Sequence, residues 1–161
     1  ITDEVAASGD QSLRIEDVPD LEREFNPHFY YRPNYTEGVA RCAYSIRIDE
    51  ATEFYHEWRD SANPYRVGPT LRITDGMLSA EGITPLALPI GEWVRIEIEA
   101  PLGEAAGTWS LDVTMADGTR HEFPDLACSN PEWEELRWLG FVSNGTEPSV
   151  YYIDDVEVSV E

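Results

Sequence analysis

Apolar and polar residues alternate along most of this chain with a period of two, the spacing of side chains on the two faces of a β-strand. In residues 39–49, VARCAYSIRID, Tyr44, Ile46 and Ile48 share one face and the intervening polar residues share the other. The spacing therefore predicts antiparallel strands with one buried face each. Further segments of this kind are residues 93–99, 107–115, 135–144 and 150–160.

Short turn sequences separate these segments. Asp75-Gly76 and Asp117-Gly118 are pairs favoured in β-hairpins because both residues tolerate positive φ. A single turn over residues 20–25, enclosed by prolines, is the one helical signal. Strands of this length, without a longer helix, predict an all-β fold, an antiparallel β-sandwich or jelly roll.

Length and net charge limit the number of domains and the classes of partner that are expected. The chain has 161 residues, 32 of them acidic and 11 basic, all 11 being arginine, and its formal net charge is −21. Its length predicts a single domain covering residues 1–161. The negative charge repels phosphate backbones and anionic lipid surfaces, so neither nucleic-acid binding nor membrane insertion is expected.

The two cysteines, Cys42 and Cys128, are too few for a disulfide scaffold and are not spaced as zinc ligands. They are either buried thiols or one disulfide. In the chain-entropy model, closing a loop of this length would stabilise the fold by roughly 4 to 5 kcal/mol. Composition leaves both alternatives open.

Residues 53–69 contain the densest mixture of aromatic, acidic and basic side chains in the chain. On a strand, Tyr55, Glu57 and Arg59 share one face, while the residues between them share the other. Aromatic faces and planar hydrogen-bonding groups are what proteins use to hold sugars. The predicted ligand-binding residues are Arg47, Tyr55, Glu57, Arg59 and Tyr65, with Tyr30, Tyr31 and Tyr35 at the rim.

Two other predictions concern tryptophans and histidines. Trp93, Trp109 and Trp138 fall in phase with inward apolar residues or next to them, so they are predicted to lie in the core. His28 and His121 have no evident companions and are predicted to be ordinary core or surface histidines.

Residues 53–69 also fit two other roles. They could form a solvated outer face that binds no sugar, or part of a catalytic site. A solvated face would form cross-strand ion pairs worth up to about 1 kcal/mol each. A polysaccharide lyase needs a Tyr or His base beside an arginine, and Tyr55 and Arg59 supply such types, although His56 falls on the opposite face. A retaining glycoside hydrolase needs two carboxylates about 5 to 5.5 Å apart. Glu97 and Glu99 are instead predicted to form an outer row, and no catalytic residue is assigned.

The order of the later segments resembles the concanavalin A-like, laminin-G-like jelly rolls of extracellular carbohydrate-active proteins. The segments that carry the resemblance are GPTLRITDGML, LPIGEWVRIEIEAPLG, GTWSLDVTMADG, LRWLGFVSNG and VYYIDDVEVSV. The earlier segment AASGDQSLRIED also resembles the second strand of such modules. The resemblance implies a non-catalytic polysaccharide-binding module of a secreted protein. A structural or adhesive spacer, and a glycoside hydrolase or polysaccharide lyase, remain the alternatives.

The resemblance also bears on the surroundings of the chain. Modules of this type usually begin with a further strand carrying an acidic residue, and no such strand precedes Ile1. The chain is therefore expected to be an excerpt of a larger protein with other domains, or to receive that strand from elsewhere. No signal-peptide pattern is present at the amino terminus, so any export signal is expected to have been removed or to lie outside the chain.

Near the end of the chain, Asp154 and Asp155 interrupt the alternation, which predicts a bulge in that strand. In the families that the chain resembles, an Ile-Asp-Asp segment can help to hold a structural Ca²⁺, and calcium takes six to eight oxygen ligands. The predicted metal ligands are Asp154, Asp155 and Asp17, the last from a strand expected to pair nearby. The alternative is a solvated acidic pair at a strand end.

Overall fold

In a computed structural model of the chain, which describes residues 1–23 and 25–161, twelve strands form two antiparallel sheets of six strands each. The strands are β1 (Leu13–Asp17), β2 (His28–Tyr31), β3 (Val39–Ile48), β4 (Glu53–Arg59), β5 (Val67–Thr74), β6 (Met77–Ser79), β7 (Leu86–Ala87), β8 (Trp93–Pro101), β9 (Thr108–Thr114), β10 (Arg120–Ala127), β11 (Trp138–Ser143) and β12 (Ser149–Val160). Sheet I has the order β1-β12-β3-β8-β9-β10, and sheet II has the order β2-β11-β4-β5-β6-β7.

The predicted all-β antiparallel sandwich is confirmed. A short 3-10 helix at Gly103–Ala105 lies between β8 and β9. The helical turn predicted over residues 20–25 includes Glu24, which lies outside the described residues, and the rest of that segment contains no helix. No helix of the described ranges is long and apolar enough to cross a membrane.

The core lies between the two sheets and is built from the inward phase of each strand. On β8, Val94, Ile96 and Ile98 are at most 2% exposed, as the alternation predicts. Leu71 and Ile73 of β5 in sheet II belong to the same buried cluster. Burying a side chain of this size contributes about 1.5 to 3 kcal/mol, so these strands hold the two sheets together.

Of the three tryptophans predicted to be buried, only Trp109 lies in the core. Trp93 and Trp138 are half-buried, and the prediction for them is wrong. Leu139 and Phe141 take the inward positions of β11, so Trp138 belongs to the outward phase.

Cys42 and Cys128 are free thiols in the structure, and both are buried. The disulfide alternative is therefore not what the fold contains. Burial raises the pKa of Cys42 to about 12 and that of Cys128 to about 11. Because the thiolate is the reactive form, we expect both side chains to resist thiol reagents in the folded protein.

Candidate functional site

The outward face of sheet II brings together most of the predicted ligand-binding residues. Tyr55, Glu57 and Arg59 alternate along β4 with core residues and point away from the core. The antiparallel register with β11 sets Trp138 opposite Arg59 and Val142 opposite Tyr55. Neighbouring strands therefore add an aromatic and an apolar side chain to the predicted polar row.

Arg59 is the centre of this surface. Its guanidinium carbon lies 4.0 Å from the centroid of the Trp138 ring and 4.2 Å from that of Tyr65. Its Nε and Nη2 groups donate to one carboxylate oxygen of Glu57. Two stacked rings and one ion pair thus fix the orientation of a single cation.

Around Arg59 lies an open pocket with a volume of about 280 Å³, which we call the Trp138 groove. The side chains that line it are Phe25, His28, Tyr55, Arg59, Tyr65, Trp138 and Val142.

Gly140 explains how the Trp138 ring can lie against the sheet. A Cβ atom at this position would be 1.8 Å from a carbon of the indole ring, so any other residue would displace the ring. Tyr30, which pairs in register with Gly140, stacks against the indole with ring centroids 5.8 Å apart. The missing side chain therefore makes room for an aromatic platform on the sheet surface.

His28, predicted to be an ordinary core or surface histidine without companions, lines the groove. Val142 of β11 pairs with both His28 of β2 and Tyr55 of β4, so these two residues flank it on the same face. Their Cα atoms are about 10 Å apart at the usual strand spacing. Nothing in the sequence around His28 shows that β2 joins this sheet beside β11, so no local signal could have found it.

The Tyr55 hydroxyl stays protonated over the ordinary pH range. Partial burial and the nearby Glu57 carboxylate together raise the pKa of Tyr55. The neutral phenol can donate one hydrogen bond and accept others from a ligand in the groove.

Arg47 does not belong to this surface, although the sequence analysis grouped it with Tyr55 and Arg59. It lies on β3 in sheet I, where it pairs in register with Trp93 of β8 and Tyr152 of β12. Alternation assigns a residue to the polar face of its own strand but does not say which sheet that strand joins. The prediction that Arg47 lies beside Tyr55 and Arg59 is therefore wrong, because β3 and β4 belong to different sheets.

His56 is excluded from the groove as the alternation predicted. Its ring is fully buried in the core, and its Nε2 accepts a hydrogen bond of 2.9 Å from the indole N–H of Trp58. Burial lowers the pKa of His56 from 6.5 to about 3. The imidazole is therefore neutral at ordinary pH and cannot act as a base on a ligand at the surface.

The bulge predicted at the end of the chain is confirmed, and its two carboxylates bind the amino-terminal segment. The β12–β3 register shifts between Asp154 and Glu157, and Asp155 has a φ of 49°. One oxygen of Asp154 accepts the main-chain N–H groups of Ala7 at 2.8 Å and Ser8 at 3.2 Å. The Ser8 hydroxyl donates to Asp155.

Asp17 does not meet this acidic pair, and the predicted set of three calcium ligands is wrong on that point. Asp17 pairs in register with Ser149, which is five residues before Asp154 on β12, or about 16 Å along a strand. It is buried, accepts the N–H of Gly145 at 3.0 Å, and has its pKa raised by burial. Within the described ranges, no three side chains of the His, Cys, Asp or Glu type form a metal-binding group. Calcium binding at Asp154 and Asp155 stays a prediction.

Comparison with known proteins shows the fold. No protein-family model and no curated protein sequence matches the chain. A carbohydrate esterase from a Shiga toxin-encoding bacteriophage is similar in structure, with a TM-score of 0.60 and 11% identity over 100% of this chain and 85% of that one. The galectin LEC-6 of Caenorhabditis elegans has a TM-score of 0.53 and 13% identity over 89% of this chain and 95% of its own. A GH131 beta-glucanase catalytic domain from Podospora anserina has a TM-score of 0.54 and 15% identity over 92% of this chain and 71% of its own.

The fold is a concanavalin A-like jelly roll. The resemblance noted in the sequence is thereby confirmed for the fold. In this jelly roll, the Trp138 groove brings aromatic side chains and a guanidinium group together on the outward face of sheet II. Such a surface can contact an apolar ligand face with the exposed part of the Tyr65 ring while Arg59 hydrogen-bonds at its edge.

Proposed function

We propose that the chain is a non-catalytic polysaccharide-binding module of an extracellular protein and that the Trp138 groove is its binding site. One observation carries the proposal: Arg59 is stacked against Trp138 and Tyr65 on the outward face of a sheet and is held there by Glu57. This arrangement places apolar ring surface and hydrogen-bonding groups side by side, as a sugar with apolar faces and hydroxyl edges requires.

The exposure of the rings distinguishes this surface from a solvated ion-pair face. Tyr65 is 51% exposed and Tyr30 is 43% exposed, and both lie beside the half-buried Trp138. An ion pair between Glu57 and Arg59 needs no aromatic neighbours, and clustered exposed rings favour a binding surface over a plain outer face. A structural spacer would not require such a cluster of exposed rings.

The solved structures of similar fold support a carbohydrate-related function. The bacteriophage protein is a carbohydrate esterase and the Podospora protein a beta-glucanase. At these identities the likeness establishes the fold, and the function of this chain is argued from its own groove.

Pull-down on insoluble polysaccharides, together with a glycan array, tests the proposal with matched variants. Trp138→Ala and Arg59→Ala should each weaken binding at least about tenfold, because a stacked ring or a charge-assisted hydrogen bond contributes about 1.5 kcal/mol or more. Arg47 and Trp93 pair in register on sheet I, as Arg59 and Trp138 do on sheet II, and they serve as the matched controls. Trp93→Ala and Arg47→Ala should therefore bind like the wild type. Absence of binding by the wild type to the whole panel would contradict the proposal and favour the spacer.

A polysaccharide lyase is the second candidate, favoured by the position of His28 and Tyr55 on either side of Val142. In such a reaction a base removes the C5 proton of a uronate. The C–H electron pair forms the C4–C5 double bond, the C4–O bond breaks, and the leaving oxygen is protonated. Release of unsaturated sugar that is lost in Tyr55→Phe and His28→Ala would establish this activity. Retention of the polymer without any product supports the binding module.

A further inference from the structure

We propose that the ligand of the Trp138 groove is an anionic polysaccharide, one that carries carboxylate or sulfate groups. The inference rests on the proposed function of the groove and adds the chemical class of its ligand. It is drawn from the distribution of arginines over the molecule.

The outward face of sheet II has more arginines than acidic residues, whereas the protein as a whole has more acidic residues than arginines. In the outward phase of β2, β11, β4 and β5, the acidic residues are Glu53 and Glu57 and the arginines are Arg59 and Arg72. Arg32 follows β2 directly and lies over the outward ring of Tyr30. Three arginines against two glutamates give this face a formal charge of +1, whereas the chain as a whole has 11 basic and 32 acidic residues.

Two of these arginines have no acidic partner among the residues that the structure describes. Most arginines of the protein lie within 4.0 Å of a carboxylate, namely Arg14, Arg41, Arg59, Arg66, Arg95, Arg120 and Arg137. Within residues 1–23 and 25–161, Arg32 and Arg72 have no carboxylate at that distance, and both are exposed. In so acidic a chain, an outer face that served only as an ion-pair ladder would supply them with partners.

Aromatic rings on the outward face of sheet II orient both guanidinium groups. The Arg72 guanidinium carbon is 5.0 Å from the centroid of Tyr55, and that of Arg32 is 5.3 Å from the centroid of Tyr30. A guanidinium stacked on a ring keeps its N–H edge free for a planar or tetrahedral anion, and that edge matches a carboxylate in a bidentate pair. Arg32 and Arg72 thus lie on either side of Arg59 as unoccupied anion-binding groups.

The acidic groups nearby do not cancel this attraction. The carboxylate of Glu57 is already paired with Arg59, and Glu53 lies at the far end of β4 beside Gly145. Charges on the rest of the molecule are screened over about 8 Å at physiological ionic strength, so contacts on the outward face of sheet II decide what binds there. The proposal therefore agrees with a protein of net charge −21 that repels anions elsewhere.

The test compares one polymer in two charge states. Homogalacturonan and its fully methyl-esterified form have the same backbone, and a sulfated galactan serves as a third ligand that separates sulfate from carboxylate. Binding of wild type, Trp138→Ala, Arg72→Gln, Arg32→Gln and Arg47→Gln is measured at fixed ionic strength by affinity electrophoresis. Arg47 is the matched control because it also lacks a carboxylate within 4.0 Å in the described ranges but lies on sheet I.

We expect the wild type to bind homogalacturonan or the sulfated galactan at least about tenfold more tightly than the methyl ester. Arg72→Gln and Arg32→Gln should each weaken that binding roughly three- to tenfold, and Arg47→Gln should leave it unchanged. Equal binding of charged and esterified polymers would overturn the anionic ligand and leave the proposed function intact. Binding that Trp138→Ala does not weaken would overturn the proposed site itself.

Discussion

His56 lies between the two sheets, with its ring centroid 4.5 Å from that of Phe141 and 5.2 Å from that of Tyr44. Burial lowers its pKa from 6.5 to about 3, so the folded protein holds it neutral. In the unfolded chain the imidazole regains its ordinary pKa of 6.5. As the pH falls below that value, the unfolded state binds a proton that the folded state does not, and the free energy of unfolding decreases until the pH reaches about 3.

The magnitude follows from the two pKa values. From about pH 7.5 to about pH 5, the histidine becomes protonated in the unfolded state but stays neutral in the folded state. The resulting difference in proton-binding free energy corresponds to about 1.5 pKa units. At about 1.36 kcal/mol per unit, this corresponds to about 2 kcal/mol of lost stability. A loss of that size is a substantial part of the free energy of unfolding of a domain, which is about 5 to 15 kcal/mol.

Urea unfolding, followed by the fluorescence of the buried tryptophans, measures this loss at the two pH values. In His56→Gln the amide oxygen can still accept the N–H of Trp58, but no group at that position titrates. The variant should therefore lose about 2 kcal/mol less than the wild type on acidification, whatever its absolute stability. His28→Gln removes an exposed imidazole and serves as the control. Equal losses in wild type and His56→Gln, within about 0.5 kcal/mol, would refute the reasoning.

Four further predictions concern other parts of the molecule. Gly140→Ala should displace the Trp138 ring, weaken polysaccharide binding as Trp138→Ala does, and cost about 1 to 3 kcal/mol of stability; wild-type affinity would contradict the close ring contact. A thiol reagent should label Cys42 and Cys128 only after denaturation, and labelling of the native protein would show that burial does not protect them. Asp154→Ala should make the amino-terminal segment sensitive to limited proteolysis, and an unchanged cleavage pattern would mean that other contacts hold it. Thermal unfolding with calcium and with chelator tests the calcium prediction, which requires a calcium-dependent stabilisation that this variant lacks.

The strands and their inward faces were predictable because alternation is a local property of the chain. Ile96 and Ile98 of β8 are buried as the pattern indicates, and Tyr55, Glu57 and Arg59 do share an outward face. The interruption at Asp154 likewise marks a bulge that the structure contains.

Which strands become neighbours is not local, and the errors arise there. Arg47 and Arg59 each lie on the polar face of their own strand, yet β3 and β4 belong to different sheets. Trp138 begins an apolar run and looked like a core residue, but its register with Arg59 sets it on the surface. Gly140 at an outward position was the only local sign of a ring lying across that strand.

The fixed position of Arg59 has a consequence for the entropy of binding. A free arginine side chain loses rotational freedom when a ligand immobilises it, at a cost of about 0.5 to 1.5 kcal/mol per side chain. Here Tyr65, Trp138 and Glu57 have already ordered the guanidinium before any ligand arrives. The groove is preorganised, so Arg59 should have the same rotamer in free and ligand-bound crystals, and folding rather than binding bears the entropic cost.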